Sequence, residues 1–181
     1  MSKLNVLIGL GFFLLAHPVY ATTVQEVGLT ELMKRSDLVF EGHVVEIQVQ
    51  KSSHYPYVFT DVTLQTLHVF KGAPRTRVTL RIPGGSTAQE QVLVPGMPSF
   101  EEEQQVLIFA EKLPWKEEDQ FLPLGLGLGT FLLEENFFQR QDQGLDSISV
   151  DPWCTGGEGL DRFYAPAFRR ELLALRAMTQ E

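Results

Sequence analysis

Residues Val58 to Gly85 read VFTDVTLQTLHVFKGAPRTRVTLRIPGG. β-Branched and aromatic residues fill two arms, and Lys71-Gly72-Ala73-Pro74 between them carries the glycine and proline that a chain reversal uses. The stretch predicts a long strand, a tight turn and a second strand that stops at Pro83-Gly84-Gly85. Within the first arm the period-two pattern slips. Val58, Val62 and Leu64 share one parity and Leu67 and Val69 the other, so the faces exchange at Gln65-Thr66. The preceding stretch does the same beside Gly42: Leu38, Phe40 and Val44 keep one phase, Val45, Ile47 and Val49 the other. One extra residue at each slip makes a β-bulge. Two long strands bent midway are what a sheet needs to curl shut into a small barrel.

Working outward, Val24 to Lys34 places Val27, Leu29, Leu32 and Met33 at near-helical spacing, predicting a short N-terminal helix that ends near Ser36-Asp37. Arg77 to Ile82 alternates cleanly, with Val78, Leu80 and Ile82 inward. Gln91 to Val94 is a short strand stopped by Pro95-Gly96. Gln105 to Ala110 is apolar on both parities, which predicts a central strand covered on both faces. Phe121–Leu124 and Thr130–Leu133 read as two more short strands. From Asn136 to Ala165 the pattern fades, and the expectation is irregular chain packed by Phe137, Phe138, Trp153 and Phe163. Pro166 then opens a helix from Ala167 to Met178, with Phe168, Leu172, Ala174 and Leu175 as its apolar stripe and Arg169, Arg170 and Arg176 on the other side.

The totals set the class. A chain of 181 residues fits one ordinary domain, and 44% hydrophobic content is enough for a core without metal or disulfide staples. Its formal charge of −8 repels phosphate backbones, so nucleic acid is not an expected partner. Lys3, the uncharged run Leu4 to Leu15, and Val19-Tyr20-Ala21 read as a secretory signal peptide over 1–21, with Thr22 as the mature start. The run is shorter than the ~20 residues that span a bilayer, so the membrane is met only during export. The expected location is periplasmic or secreted. The expected division is 22–135 as barrel and 136–181 as irregular extension with a C-terminal helix packed on it.

Ser36-Asp37-Leu38-Val39-Phe40-Glu41-Gly42, Phe59-Thr60, Val69-Phe70-Lys71-Gly72, Pro83-Gly84-Gly85, Val94-Pro95-Gly96, Pro98-Ser99-Phe100 and Val106-Leu107-Ile108-Phe109 follow one another in a rhythm. That rhythm resembles a set of uncharacterised exported bacterial proteins. In that set a glycine usually sits in the turn before the VLxF strand, where this chain has Glu101-Glu102-Glu103. More distantly, the pattern resembles the five-stranded OB-type barrel of tissue metalloprotease inhibitors and netrin-like modules. The second likeness implies a fold only. Those inhibitors present a disulfide-bonded N-terminal cysteine to the protease zinc, and here the single cysteine is Cys154.

Candidate chemistry is sparse. His43 and His68 lie on predicted strands and could be neighbours, but no HxH or HxxxH spacing accompanies them, so rim packing is the default and no metal is expected. Cys154 has no histidine in its half of the chain to act as a base. Gly125-Leu126-Gly127-Leu128-Gly129 lacks the spacing of a dinucleotide fingerprint and is better read as relief of crowding between backbones. Glu101 to Glu103 form a solvated acidic turn. Arg75, Arg77 and Arg81 share one parity and form an outer face. The binding candidate is His54-Tyr55-Pro56-Tyr57 at the barrel mouth, where two tyrosines beside a proline give rigid contact area at low entropic cost; His43 and His68 complete the candidate ligand-binding set.

The fold expected is mainly β: a small OB-like closed barrel with bent strands, a short N-terminal helix and a C-terminal helix. The function expected is a non-catalytic binding or scaffold module for a protein or surface ligand, without cofactor. A protease-inhibitor-like protein is the alternative, and a hydrolase using Cys154 or a histidine site is the third reading.

Overall fold

The computed structural model describes residues 28–51, 57–113, 120–141 and 162–179. Helix α1 (Leu29–Arg35) leads into strands β1 (Leu38–Lys51), β2 (Val58–Lys71) and β3 (Arg77–Pro83), then the short β4 (Gly85–Ser86) and β5 (Gln91–Val92). β6 (Gln105–Lys112) and β7 (Gln120–Pro123) follow, then a 3-10 helix at Leu126–Gly129 and β8 (Thr130–Glu134). The described chain ends with β9 (Phe137–Arg140), β10 (Arg162–Tyr164) and α2 (Ala165–Thr179).

Five strands close on themselves in the order β1-β2-β3-β7-β6 and back to β1. Every contact in this ring is antiparallel except β3 with β7, which is parallel. The phase slips in the sequence are the hinges of this closure. In β1 the extra residue is Val45, between the pairs Val44–Leu64 and Glu46–Thr63. In β2 it is Leu67, between the partners of Gly42 and Glu41, slightly beyond the Gln65-Thr66 expected, and Phe70 makes a second bulge. Leu67 is therefore not an inward residue after the slip. Leu67 is 41% exposed, whereas the other bulged residue of β2, Phe70, is buried in the core outside the barrel.

β6 explains why its sequence is apolar on both parities. Val106, Ile108 and Ala110 fill the barrel together with Phe40, Leu64, Leu80 and Phe121. Leu107 and Phe109 face outward into a second core with Leu32 and Met33 of α1 and Phe168 and Leu172 of α2. β1 is shared in the same way, so Leu38 to Gly42 are all buried. The expected stripe of α1 thus lies across a sheet face. Its last turn is closed by Ser36, whose hydroxyl donates to the Leu32 carbonyl, and by Lys71, whose ammonium donates to the carbonyls of Met33 (2.7 Å) and Lys34 (3.0 Å).

Two stretches differ from the pattern reading. Phe137–Arg140 and Arg162–Tyr164 are strands rather than irregular chain: β9 pairs with β8 and β10 with β9, extending the barrel sheet beneath α2. Strands of three and four residues are too short for alternation to show in sequence. In α2, Ala174 is exposed and stands outside the apolar stripe of Phe168, Leu172 and Leu175, because a step of two residues turns about 200° around the helix. Arg169 is not on the outer side either; it turns onto the sheet. The expectations for Trp153 and Cys154, and for residues 1–27, fall outside the described residues.

Candidate functional site: an apolar cleft at the barrel end

The barrel is complete only along part of β1. Val39 to His43 pairs with both β2 and β6, whereas among the described residues Glu46 to Lys51 pairs with β2 alone. Beyond that divergence the barrel interior opens into a cleft of about 680 Å³. Ile47 of β1, Thr60 and Val62 of β2, and Ile82 of β3 form its floor, and the chain from Gln91 to Phe100 forms its far wall. Val62 is wholly buried and Ile82 nearly so, while Ile47, Met97 and Phe100 are half-buried and pack on the edge of the barrel core. Among the described residues nothing covers this end of the barrel's apolar interior.

Local sequence holds this shape. Pro83 ends β3, and Gly84 (φ +98°) and Gly85 (φ +140°) turn the chain back over the strand ends. A Cβ on Gly85 would lie 2.6 Å from Thr60 Oγ1 and 2.9 Å from a Val49 methyl carbon, so the backbone sits too close for any side chain. The Thr60 hydroxyl donates to the Gly84 carbonyl at 2.8 Å. The β4–β5 loop is tied by Thr87, whose Oγ1 accepts from the Glu90 amide at 3.1 Å and whose N–H donates to the Glu90 carbonyl at 2.8 Å. Lys51 at the tip of β1 reaches Glu90 at 2.7 Å, linking the two sides. Pro98 and the Gly127 N–H bond to the Gly96 carbonyl (2.7 Å) anchor the outer wall.

The cleft chemistry is simple. It is lined mainly by aliphatic and aromatic carbon, with Ser86, Gln91 and Ser99 at its margins. Such a lining binds by removing apolar surface from water at roughly 25 cal/mol per Å², and it offers no ionised group for proton transfer. Among the described residues no three His, Cys, Asp or Glu side chains are grouped as a metal would require.

The residues singled out from sequence scatter around this cleft. Tyr57 is 58% exposed and immediately precedes β2 at the same barrel end, next to Val58, whose carbonyl accepts from the Gly84 N–H. His54 and Tyr55 lie outside the described residues. His43 and His68 are on paired strands, but the register sets His43 opposite Gln65 and His68 opposite Glu41. His43 is half-buried, and His68 is exposed with its ring tilted against Phe70 at 6.4 Å. Of the three arginines, Arg81 is held by Asp61 through a two-pronged pair at 2.7 and 2.5 Å, and Arg75 lies over the Phe121 ring at 5.1 Å. Glu101 to Glu103 are exposed at a turn, as expected.

Sequence reasoning missed the cleft wall and one buried ionic group. The wall has no period, and its only signal is the density of Pro, Gly and Met between two strands. The ionic group is Glu41, which is 1% exposed and accepts from Arg169 of α2 and from the Gln105 amide. The hydrogen bond from Arg169 to Glu41 raises the Arg169 pKa above its ordinary value; burial opposes this, and the charge attraction of Glu41 adds to it. The guanidinium thus stays charged throughout the pH range of a folded protein. A carboxylate between the apolar runs Leu38-Val39-Phe40 and Val44-Val45 was the available clue.

No protein-family model matches the chain, and a comparison with curated proteins finds no match.

Proposed function

We propose that this is an exported, non-catalytic binding module whose ligand seats an apolar group in the cleft at the open end of the barrel. One observation carries the reading: the barrel interior continues into an apolar space of about 680 Å³, bounded by half-buried Ile47, Met97 and Phe100 and uncovered among the described residues. Ligand sites commonly measure about 300–1,000 Å³ and have this predominantly apolar lining. The OB-type likeness supports it, since such barrels use the face of their second and third strands and the adjoining loops for ligands. The leader-like segment Leu4 to Ala21 supports export.

Titration of the purified chain with N-phenyl-1-naphthylamine, an uncharged apolar fluorophore, tests the proposal. The expected result is saturable binding that weakens by more than about tenfold in Ile47→Asp and Phe100→Asp, each variant retaining the parent circular dichroism spectrum. Fluorescence that never saturates, or that is indifferent to both substitutions, contradicts it.

A further inference from the structure

The rim of the cleft has a second property, carried by backbone rather than side chains. Leu38 to His43 of β1 are laddered to β6, and Val44 still exchanges bonds with Gln104 and Glu103, both at 2.9 Å. Past the Val45 bulge, Glu46 to Lys51 is laddered to β2, and among the described residues no backbone group is hydrogen-bonded to its other edge. At roughly 3.4 Å per residue that edge is about 20 Å long. It contains no proline, and its side chains between Glu46 and Lys51 are Ile47, Gln48, Val49 and Gln50, a β-favouring and uncharged sequence. An edge so composed is competent to pair with another strand.

The edge and the cleft address the same occupant. Ile47 belongs to this edge and lines the cleft, while Met97 and Phe100 face it from the other wall. A strand laid along Glu46 to Lys51 would continue the line that β6 holds farther down β1. Its alternate side chains would point into the cleft and the others into solvent. A compact apolar molecule would fill the cleft and leave the ladder unused. An extended polypeptide uses both.

We propose, resting on the reading of the cleft as the binding site, that its ligand is an extended peptide segment of another protein. That segment pairs antiparallel with Glu46–Lys51 and places uncharged apolar residues, at every second position, toward Ile47, Met97 and Phe100. Recognition by main-chain bonds with pockets for alternate side chains is a general mode of strand addition.

The probe is the blocked heptapeptide acetyl-TVTVTVT-amide, compared with the same peptide N-methylated at every amide, which keeps the side chains and loses every main-chain N–H donor. Amide hydrogen exchange is followed on the full chain with N-phenyl-1-naphthylamine binding measured alongside. The expected result is that the unmodified peptide displaces the fluorophore and slows exchange within Glu46–Lys51 by about tenfold or more, while the methylated peptide does neither. Phe100→Ser should weaken the peptide without abolishing protection at saturation. Equal binding of both peptides, or protection that maps elsewhere, overturns the proposal. So does protection of this edge by self-association, without peptide, in a sample that sediments as a dimer. If the fluorophore binds saturably and the peptide does not, strand addition fails and the cleft stands; if neither binds, both fail.

Discussion

Arg169 sets two of its nitrogens on the carboxylate of Glu41, Nε at 2.8 Å and Nη2 at 2.6 Å, joining the C-terminal helix to the first barrel strand. Glu41 is buried, and Arg169 also lies over the Phe138 ring at 5.3 Å. Removing one member of such a pair leaves a charge stranded without water, which costs about 3–5 kcal/mol. Arg169→Met should therefore lower unfolding stability by about 3 kcal/mol, as read from urea midpoints at constant slope. Glu41→Gln combined with Arg169→Met should lose less than the sum of the single changes, by at least about 1 kcal/mol, because no unpaired charge remains. Additive losses would show that the pair does not hold α2 to the sheet.

Among the described glycines, Gly127 makes the closest approach to a neighbouring backbone. A Cβ there would lie 2.0 Å from the Gln141 carbonyl oxygen and 3.1 Å from that of Gly96. Backbone on both sides cannot yield as a side-chain end would. Gly127→Ala should destabilise by about 3 kcal/mol or more, at the upper end of overpacking effects. Because Gly96 belongs to the cleft wall, the variant should also weaken fluorophore binding under conditions where it is still folded. A melting temperature within a degree of the parent would refute the packing described.

Glu103 holds a left-handed backbone conformation, φ +67°, in the turn whose amide donates to the Val44 carbonyl at 2.9 Å. A side chain in this conformation is strained by about 1 kcal/mol, and glycine is not. Glu103→Gly should raise stability by about 0.5 kcal/mol after its greater freedom in the unfolded chain is counted. A loss in differential scanning calorimetry would contradict the assigned geometry.

How much of this was legible follows from what pattern can encode. The slips beside Val44 and near Thr66 exposed the closure of the barrel, because a bulge must exchange faces and the exchange is written in hydrophobic parity. The double burial of β6 was equally open, since Val106 and Leu107 lie on opposite faces and both are apolar. Arg169 was misplaced because a helical wheel records polarity and not reach: its stem covers apolar surface while its head finds Glu41 across the sheet. The cleft could not be read. Met97 and Phe100 become a wall only when coil after β5 folds back over the strand ends, and coil has no period to announce where it will lie. Of the tyrosine-bearing stretch singled out for its aromatic composition, only Tyr57 falls within the described residues, and it lies at the same end of the barrel as the cleft.

Lys71 offers a smaller test of how α1 is seated. Its ammonium donates to two carbonyls at the end of a seven-residue helix too short to persist alone. Lys71→Met keeps the stem and removes the charge and the donors, and should cost about 1 kcal/mol by thermal melting. No change would mean that packing of Leu32 and Met33 alone holds the helix.

The central claim is that an apolar ligand enters the open end of the barrel. Methyl-selective NMR of the ile- and met-labelled protein, titrated with N-phenyl-1-naphthylamine, tests it most directly. The account predicts saturable shifts at Ile47, Ile82 and Met97, with the methyl groups of Met33 and Ile108, buried away from the cleft, unmoved. Shifts centred on Met33, or none at Ile47 and Met97 at saturation, would contradict it.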